Sequence, residues 1–248
     1  MRSTLAVICA ALIGLGALTA ARTVAPSASA SSAASPSAGD KASFGKAIRE
    51  YLIANPEILV EAMQEYERKQ DSQRDAQAEK AIKEYRTSLT DDPESPVAGN
   101  PQGDVVIVEF SDYQCPYCKR AHSAVKSVLA ADPKVKLIFK DLPILGEPSK
   151  VAALAALASV KQGKHLVFHN ALMEYGGKID SDKIFDIANG VGIDVTRLKQ
   201  DMEDPAIKKI IERNMTLAGQ LGVRGTPAFV IGKQFVPGAV DADTLRQL

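Results

Sequence analysis

The chain has 248 residues, 46% hydrophobic and 24% charged, enough for one globular domain with an appendage or for two small domains. Lys and Arg balance Asp and Glu to a formal net charge of zero, so nothing draws the protein to nucleic acid or an anionic membrane. Tryptophan is absent and aromatics make up 5%, which leaves little to stack on bases or sugars.

The start, MRSTLAVICAALIGLGALTA, places Arg2 before an uncharged apolar run from Leu5 to Ala20. At about 16 residues the run is closer to a signal-peptide core than to the roughly 20 needed to span a bilayer. Thr19-Ala20-Ala21 reads as a cleavage site, so residues 1–21 are expected to be a signal peptide and the protein to be periplasmic. An uncleaved membrane anchor is the alternative. Cys9 lies inside the run and is lost on cleavage, leaving Cys115 and Cys118. Residues 22–40 are almost entirely Ala, Ser and Pro, a composition that cannot bury enough apolar surface to order itself and reads as a flexible linker.

Helical patterning fills 41–92. Ile48, Leu52 and Ile53 share one face. Asn55 is placed to cap a second helix, with Pro56 at its first position and Glu57 in the first turn. Leu59, Ala62, Met63 and Tyr66 recur at helical spacing, as do Ile82, Tyr85 and Leu89 further on, while 67–80 is nearly all polar. A helix this long and polar predicts an oligomerisation stalk whose apolar patches pack on copies of themselves. The alternative is a solvated helix folded back on the main domain. Pro93 and Pro96 mark a boundary, and a second domain is expected over 98–248.

In that domain VVIVEF and KVKLIFKDLPI read as strands, 148–221 as a helical insert, PAFVIG and QFVPG as short strands, and DADTLRQL as a closing helix. The order predicts an α/β arrangement.

Cys115 and Cys118 follow the first strand with only Pro116 and Tyr117 between them. A structural disulfide closing about four residues contributes roughly 2 kcal/mol, against nearly 5 for a 100-residue loop. Zinc needs more ligands than one pair supplies, so no metal site is expected. Redox chemistry remains, and it requires no cofactor. Cys115 stands at a helix N-terminus, where unpaired amides and the helix dipole stabilise an anion, and it reads as the nucleophile. Cys118, one turn on, reads as the shielded resolving thiol. Pro116 suits the first turn, where its missing N–H is not needed.

The strand, EFSDYQCPYC and, near the C-terminus, GVRGTPAFVIG resemble the DsbA-like form of the thioredoxin fold with a helical insertion. The resemblance implies that Pro227 is cis and faces the cysteines, with Thr226-Pro227, Pro116 and Tyr117 forming the substrate-binding surface. It also implies a buried acid at Glu109, six residues before Cys115. By strand alternation Glu109 points inward beneath the cysteine pair, where it can take the proton of Cys118. Tyr117 departs from DsbA itself, which has His between its cysteines. IREYLIANPEILVEAM resembles the N-terminal segment of the suppressor of copper sensitivity protein C (ScsC) family. That likeness implies a trimer joined through residues 41–92. It further implies disulfide isomerase or reductase activity on mispaired exported proteins, a membrane redox partner that keeps the cysteines reduced, and a link to copper tolerance. A monomeric disulfide oxidase is the rival within the class, and a periplasmic Cu(I)-binding protein using the two thiols is the rival outside it.

Three histidines complete the titratable set. His122 lies seven residues beyond Cys115 on the cysteines' helical face and reads as a surface helix residue, with tuning of the thiolate as the alternative. His165 and His169, four apart, read as structural.

Overall fold

A computed structural model describes residues 38–248. The expected signal peptide (1–21) and most of the expected linker (22–40) lie outside the described residues. The chain divides into two units, up to Leu59 and from Val60 onward.

The first unit holds helix α1 (Ala38–Ala54) and the start of α2 (Glu57–Glu84). Asn55 does not cap α2. Its side-chain amide donates to the Tyr51 carbonyl at 2.8 Å, and its backbone N–H reaches the same oxygen at 2.9 Å. The last turn of α1 leaves carbonyls without intrahelical partners, and an amide donor four residues beyond Tyr51 is placed to satisfy one. The Asn55 side chain therefore closes α1, while its carbonyl accepts the Ile58 N–H at 3.2 Å in the first turn of α2. The polar stretch 67–80 is helical throughout, within the 28 residues of α2.

The second unit continues with α3 (Arg86–Thr90), β1 (Val97–Gly99), β2 (Val105–Ser111), α4 (Pro116–Ala131) and β3 (Val135–Asp141). The insert follows as α5 (Glu147–Ala158), a 3-10 turn (Ser159–Gln162), α6 (His165–Glu174), α7 (Ser181–Gly190), α8 (Val195–Met202) and α9 (Pro205–Gln220). Strands β4 (Ala228–Ile231) and β5 (Gln234–Pro237) and helix α10 (Ala242–Gln247) close the chain. Asp180, Asp194, Asp204 and Asp241 cap α7, α8, α9 and α10 through side-chain bonds to first-turn amides, each worth about 1 kcal/mol.

The sheet runs β1-β3-β2-β4-β5, with β2 parallel to β3 and antiparallel to β4. This is the DsbA-like thioredoxin fold with its helical insertion, preceded by N-terminal helices. Strand β1 was not anticipated: the three residues Val97–Gly99 after Pro96 carry no readable period. Gly99 ends β1 with φ +73°, and a Cβ there would meet the Val135 carbonyl at 2.5 Å, so backbone proximity requires glycine.

Alternation sorts the sheet into two faces. Ile107, Leu137, Phe139, Phe229 and Ile231 pack under α4 and α10. Val108, Phe110, Ile138 and Val230 pack with Leu217 of α9, and Ile82 of α2 and Leu89 of α3 join that core. The last turns of the segment read as a stalk thus belong to the core beneath the sheet.

Lys140 is buried on that second face. Its Nζ donates to the Ser88 carbonyl at 2.8 Å and to Asp92 Oδ2 at 2.9 Å. Burial lowers the Lys140 pKa, while Asp92 counteracts by favouring the ammonium. Removing one partner of a buried pair leaves the other charge uncompensated. Lys140→Ala is expected to destabilise the protein by on the order of 3 kcal/mol, read as a lower urea midpoint at unchanged slope.

Candidate active site

Strand β2 delivers the chain to the site. Asp112 follows it, buried, and its carboxylate accepts four bonds. Oδ1 takes the Gln114 N–H at 2.8 Å and the Ser149 hydroxyl at 2.7 Å. Oδ2 takes the Ile144 and Leu145 N–H groups at 2.8 and 3.0 Å. One side chain thereby ties the loop before Cys115 to the start of the insert. Sequence reasoning passed over Asp112, although an Asp two residues before an amide it can bind is a turn signal.

Cys115 is the N-cap residue of α4 and Pro116 opens the helix, the geometry in which amide dipoles converge on the cap. Its Sγ donates to the Thr226 carbonyl at 3.1 Å. The Thr226–Pro227 peptide bond is cis. Cys118, one turn on, is 0% exposed, and its sulfur accepts the Asp112 N–H at 3.5 Å. Burial pushes the Cys118 thiol well above the ordinary range, against the help of the Asp112 amide and Thr226; the charges of Cys115 and Glu109 push it further up. Both cysteines are free thiols. Tyr117 is exposed, its ring 4.4 Å from the Arg120 guanidinium. A cleft of about 830 Å³ is lined by Tyr117, Arg224, Thr226, Pro227, Phe235 and, from α2, Arg74.

Glu109 sits mid-strand on β2, between Phe139 of β3 and Phe229 of β4, on the face that α4 covers. It is buried, and desolvation, with Asp141 second, raises its pKa to about 8. Asp141, two positions beyond Phe139 on β3, lies on the same face and is buried too. Desolvation, with the charge of Asp112, raises Asp141 to about 7 against the favourable Tyr113 hydroxyl. Tyr113 stands beside Asp141, but its hydroxyl is bonded to His169 Nδ1 at 3.0 Å, and neither Asp141 carboxylate oxygen has a hydrogen-bond partner. The sequence reading did not single out Asp141 or Tyr113.

His122 is buried, not on the surface as expected. The insert covers its face of α4: its ring centroid lies 5.4 Å from that of His169 on α6, and its Nε2 is 3.7 Å from Glu174. The rings of His165 and His169 stack at 5.9 Å. Burial lowers all three histidines, His165 to about 4, so they pack as neutral rings. Among the described residues no cluster of three His, Cys, Asp or Glu side chains is arranged to hold a metal ion.

A thioredoxin-type sheet, a Cys-x-x-Cys pair at a helix N-terminus and a cis-proline loop against the first sulfur define the class: a thioredoxin-fold protein with a dithiol site. The chain belongs to the DSBA-like thioredoxin domain family, which matches residues 106–248. Residues 40–73 match the copper resistance protein ScsC N-terminal domain. A thioredoxin-like oxidoreductase from Silicibacter pomeroyi is 48% identical, with TM-score 0.65 over 65% of this chain and 94% of its own. A linker-deletion mutant of Proteus mirabilis ScsC is 33% identical, with TM-score 0.65 over 87% of this chain and 96% of its own. Among curated proteins the chain is 26% identical over 151 residues to the Na(+)/H(+) antiporter NhaA 1 of Salinispora arenicola, covering 60% of this chain. It spans only 23% of that relative's length, and among the described residues no helix is long and apolar enough to cross a membrane.

Proposed function

We propose that the protein is an exported thiol–disulfide oxidoreductase acting in the periplasm as an isomerase and reductase of mispaired disulfides. The observation that carries this reading is the asymmetry of the pair. Cys115 lies at the helix N-terminus against the Thr226 carbonyl, while Cys118 is buried and disfavoured as a thiolate. Cys115 attacks a substrate disulfide; a Cys115–substrate bond forms and the other substrate sulfur leaves as thiolate. An extended substrate chain pairs with the backbone at Thr226-Pro227 and lies in the cleft beside Tyr117. Cys118 then gives its proton to Glu109 and attacks Cys115, forming Cys115–Cys118 and releasing a reduced substrate. A membrane partner returns the two electrons. A buried, reluctant Cys118 prolongs the mixed disulfide, and a substrate thiolate that attacks first leaves the substrate isomerised with no net electron transfer.

Isomerisation gains from several sites facing one cleft. Phe44, Ile48, Tyr51 and Ile53 of α1 and Leu59, Met63 and Tyr66 of α2 are exposed, more apolar surface than a solitary helix keeps in water. Residues 41–92 are therefore proposed to include the contacts of a homotrimer, with the copper link arising from repair of disulfides that copper has mispaired.

The test compares the full mature chain with one starting at Val60, the second unit. A start near Pro93 would remove Ile82 and Leu89 from the core and confound the result. The shortened chain is expected to exchange model disulfides at the full-length rate, to run as a monomer, and to lose most of its reactivation of a substrate with scrambled disulfides. Equal reactivation by both chains would overturn the isomerase reading in favour of a monomeric oxidase.

A further inference from the structure

The site holds more carboxyl groups than a single proton transfer requires. Glu109 and Asp141 sit on neighbouring parallel strands, offset by two residues in register, and both point to the face beneath α4. Both are buried. Asp112, nearby, is fully hydrogen bonded and has an evident role in holding the loop. Asp141 differs: both of its carboxylate oxygens are enclosed without a hydrogen-bond partner. An orphaned buried carboxylate is costly, and in a native fold it calls for an explanation. Packing does not supply one, because an apolar side chain would fill the same volume without that cost.

We propose that Asp141 is a positioning residue for the proton of Cys118, forming with Glu109 a buried carboxyl pair in which the charge of Asp141 makes Glu109 the stronger base. This rests on the reading of Glu109 as proton acceptor and extends it. Two carboxylates enclosed on adjacent strands resist ionising together, so the charge of each raises the affinity of the other for a proton. With Asp141 ionised, Glu109 is a stronger base for the thiol above it. With Asp141 protonated, Glu109 ionises at lower pH and binds the proton less tightly. The groups facing the pair are Cys118 of α4, Asp112 and Tyr113 of the preceding loop, and His169 of α6 behind Tyr113; β4 contributes Phe229, and the Asn214 side chain of α9 binds the Asp141 backbone carbonyl. Tyr113, whose hydroxyl is bonded to His169 Nδ1, also stands beside Asp141 and favours its charged form.

The balance of the step is unchanged. The Cys118 S–H breaks, its proton passes to Glu109, the Cys118–Cys115 bond forms, and the substrate sulfur leaves Cys115 with its electron pair.

The experiment is single-turnover resolution of a preformed mixed disulfide between Cys115 and a glutathionyl peptide, followed against pH in the full chain. Asp141→Asn is expected to move the midpoint of the resolution profile to lower pH by about one unit, the scale on which coupled sites titrate as a pair. Alkylation of Cys115, followed in parallel, reports whether the nucleophile itself has been disturbed. A resolution profile that superimposes on the wild type overturns the pairing. Glu109→Gln separates the two levels: if it leaves resolution unchanged, the Glu109 assignment falls and the pair with it. If it slows resolution while Asp141→Asn does nothing, only the pair falls. Should Asp141→Asn fail to fold, carbon-13 carboxyl signals of labelled aspartate and glutamate in the wild-type chain decide. Two linked titration steps support the pair, and independent steps near ordinary carboxyl values overturn it.

Discussion

Cys118→Ser is expected to turn the protein into a trap. Cys115 still attacks a substrate disulfide, but nothing at the next turn of α4 completes the exchange, so Cys115–substrate conjugates accumulate and turnover falls to background. Cys115→Ser is expected to remove both turnover and trapping, because Cys118 is fully enclosed and burial disfavours its thiolate. The comparison, read on non-reducing gels and by mass spectrometry, also separates enzyme from copper carrier. Two soft thiolates one turn apart can bind Cu(I) without catalysis. A carrier would lose tight Cu(I) binding in either variant and would trap no protein in Cys118→Ser. An enzyme gives asymmetric variants, with trapping in one and silence in the other. Equal behaviour of the two variants would sink the assignment of nucleophile and resolver.

The parts of the site legible in the sequence are those in which local chemistry is self-sufficient. A cysteine pair at Cys-x-x-Cys spacing after a β-branched run fixes its own placement at a helix start, and the structure puts Cys115 at the N-cap. Strand alternation likewise suffices to bury Glu109 under α4. What escaped depends on register between distant segments. Asp141 ends a strand in FKDL, where an acid ordinarily faces solvent, and only the pairing of Ser111 with Asp141 carries it to the same interior as Glu109. His122 looked solvent-facing because the helix considered alone leaves it on a free surface; α6, more than 40 residues on, covers that surface with His169. Strand β1 is too short to show a period and is held by its ladder to β3. Ile82 and Leu89 belong to a helical stretch whose composition reads as an appendage, yet they pack under the sheet. Tertiary burial overrode the local signal in each case.

The second large effect concerns stability against pH. Glu109 titrates near 4.5 when exposed and near 8 in the fold, chiefly because burial penalises its charge. The folded state therefore binds the proton more tightly than the unfolded chain does. Its contribution is fully present below about pH 4.5 and is lost as pH rises through about 8. At about 1.4 kcal/mol per pKa unit the loss amounts to several kcal/mol, a large share of what an ordinary domain possesses. Glu109→Gln keeps the polar shape and removes the titration. The reduced variant is expected to be more stable than the reduced wild type above pH 8 and to differ little below pH 4.5, with urea midpoints as the readout. The residual slope of the variant combines Asp141, whose raised value of about 7 acts in the same direction between about 3.8 and 7, with the three buried histidines, whose lowered values act in the opposite direction below about 6.5. A fall in midpoint between about pH 6.5 and 8 that Glu109→Gln leaves unchanged would mean that Glu109 is ionised at ordinary cost, and the acceptor proposed for the Cys118 proton would then have to be sought elsewhere. A fall in midpoint that Glu109→Gln lessens assigns that part of the pH dependence to the desolvation of this carboxyl.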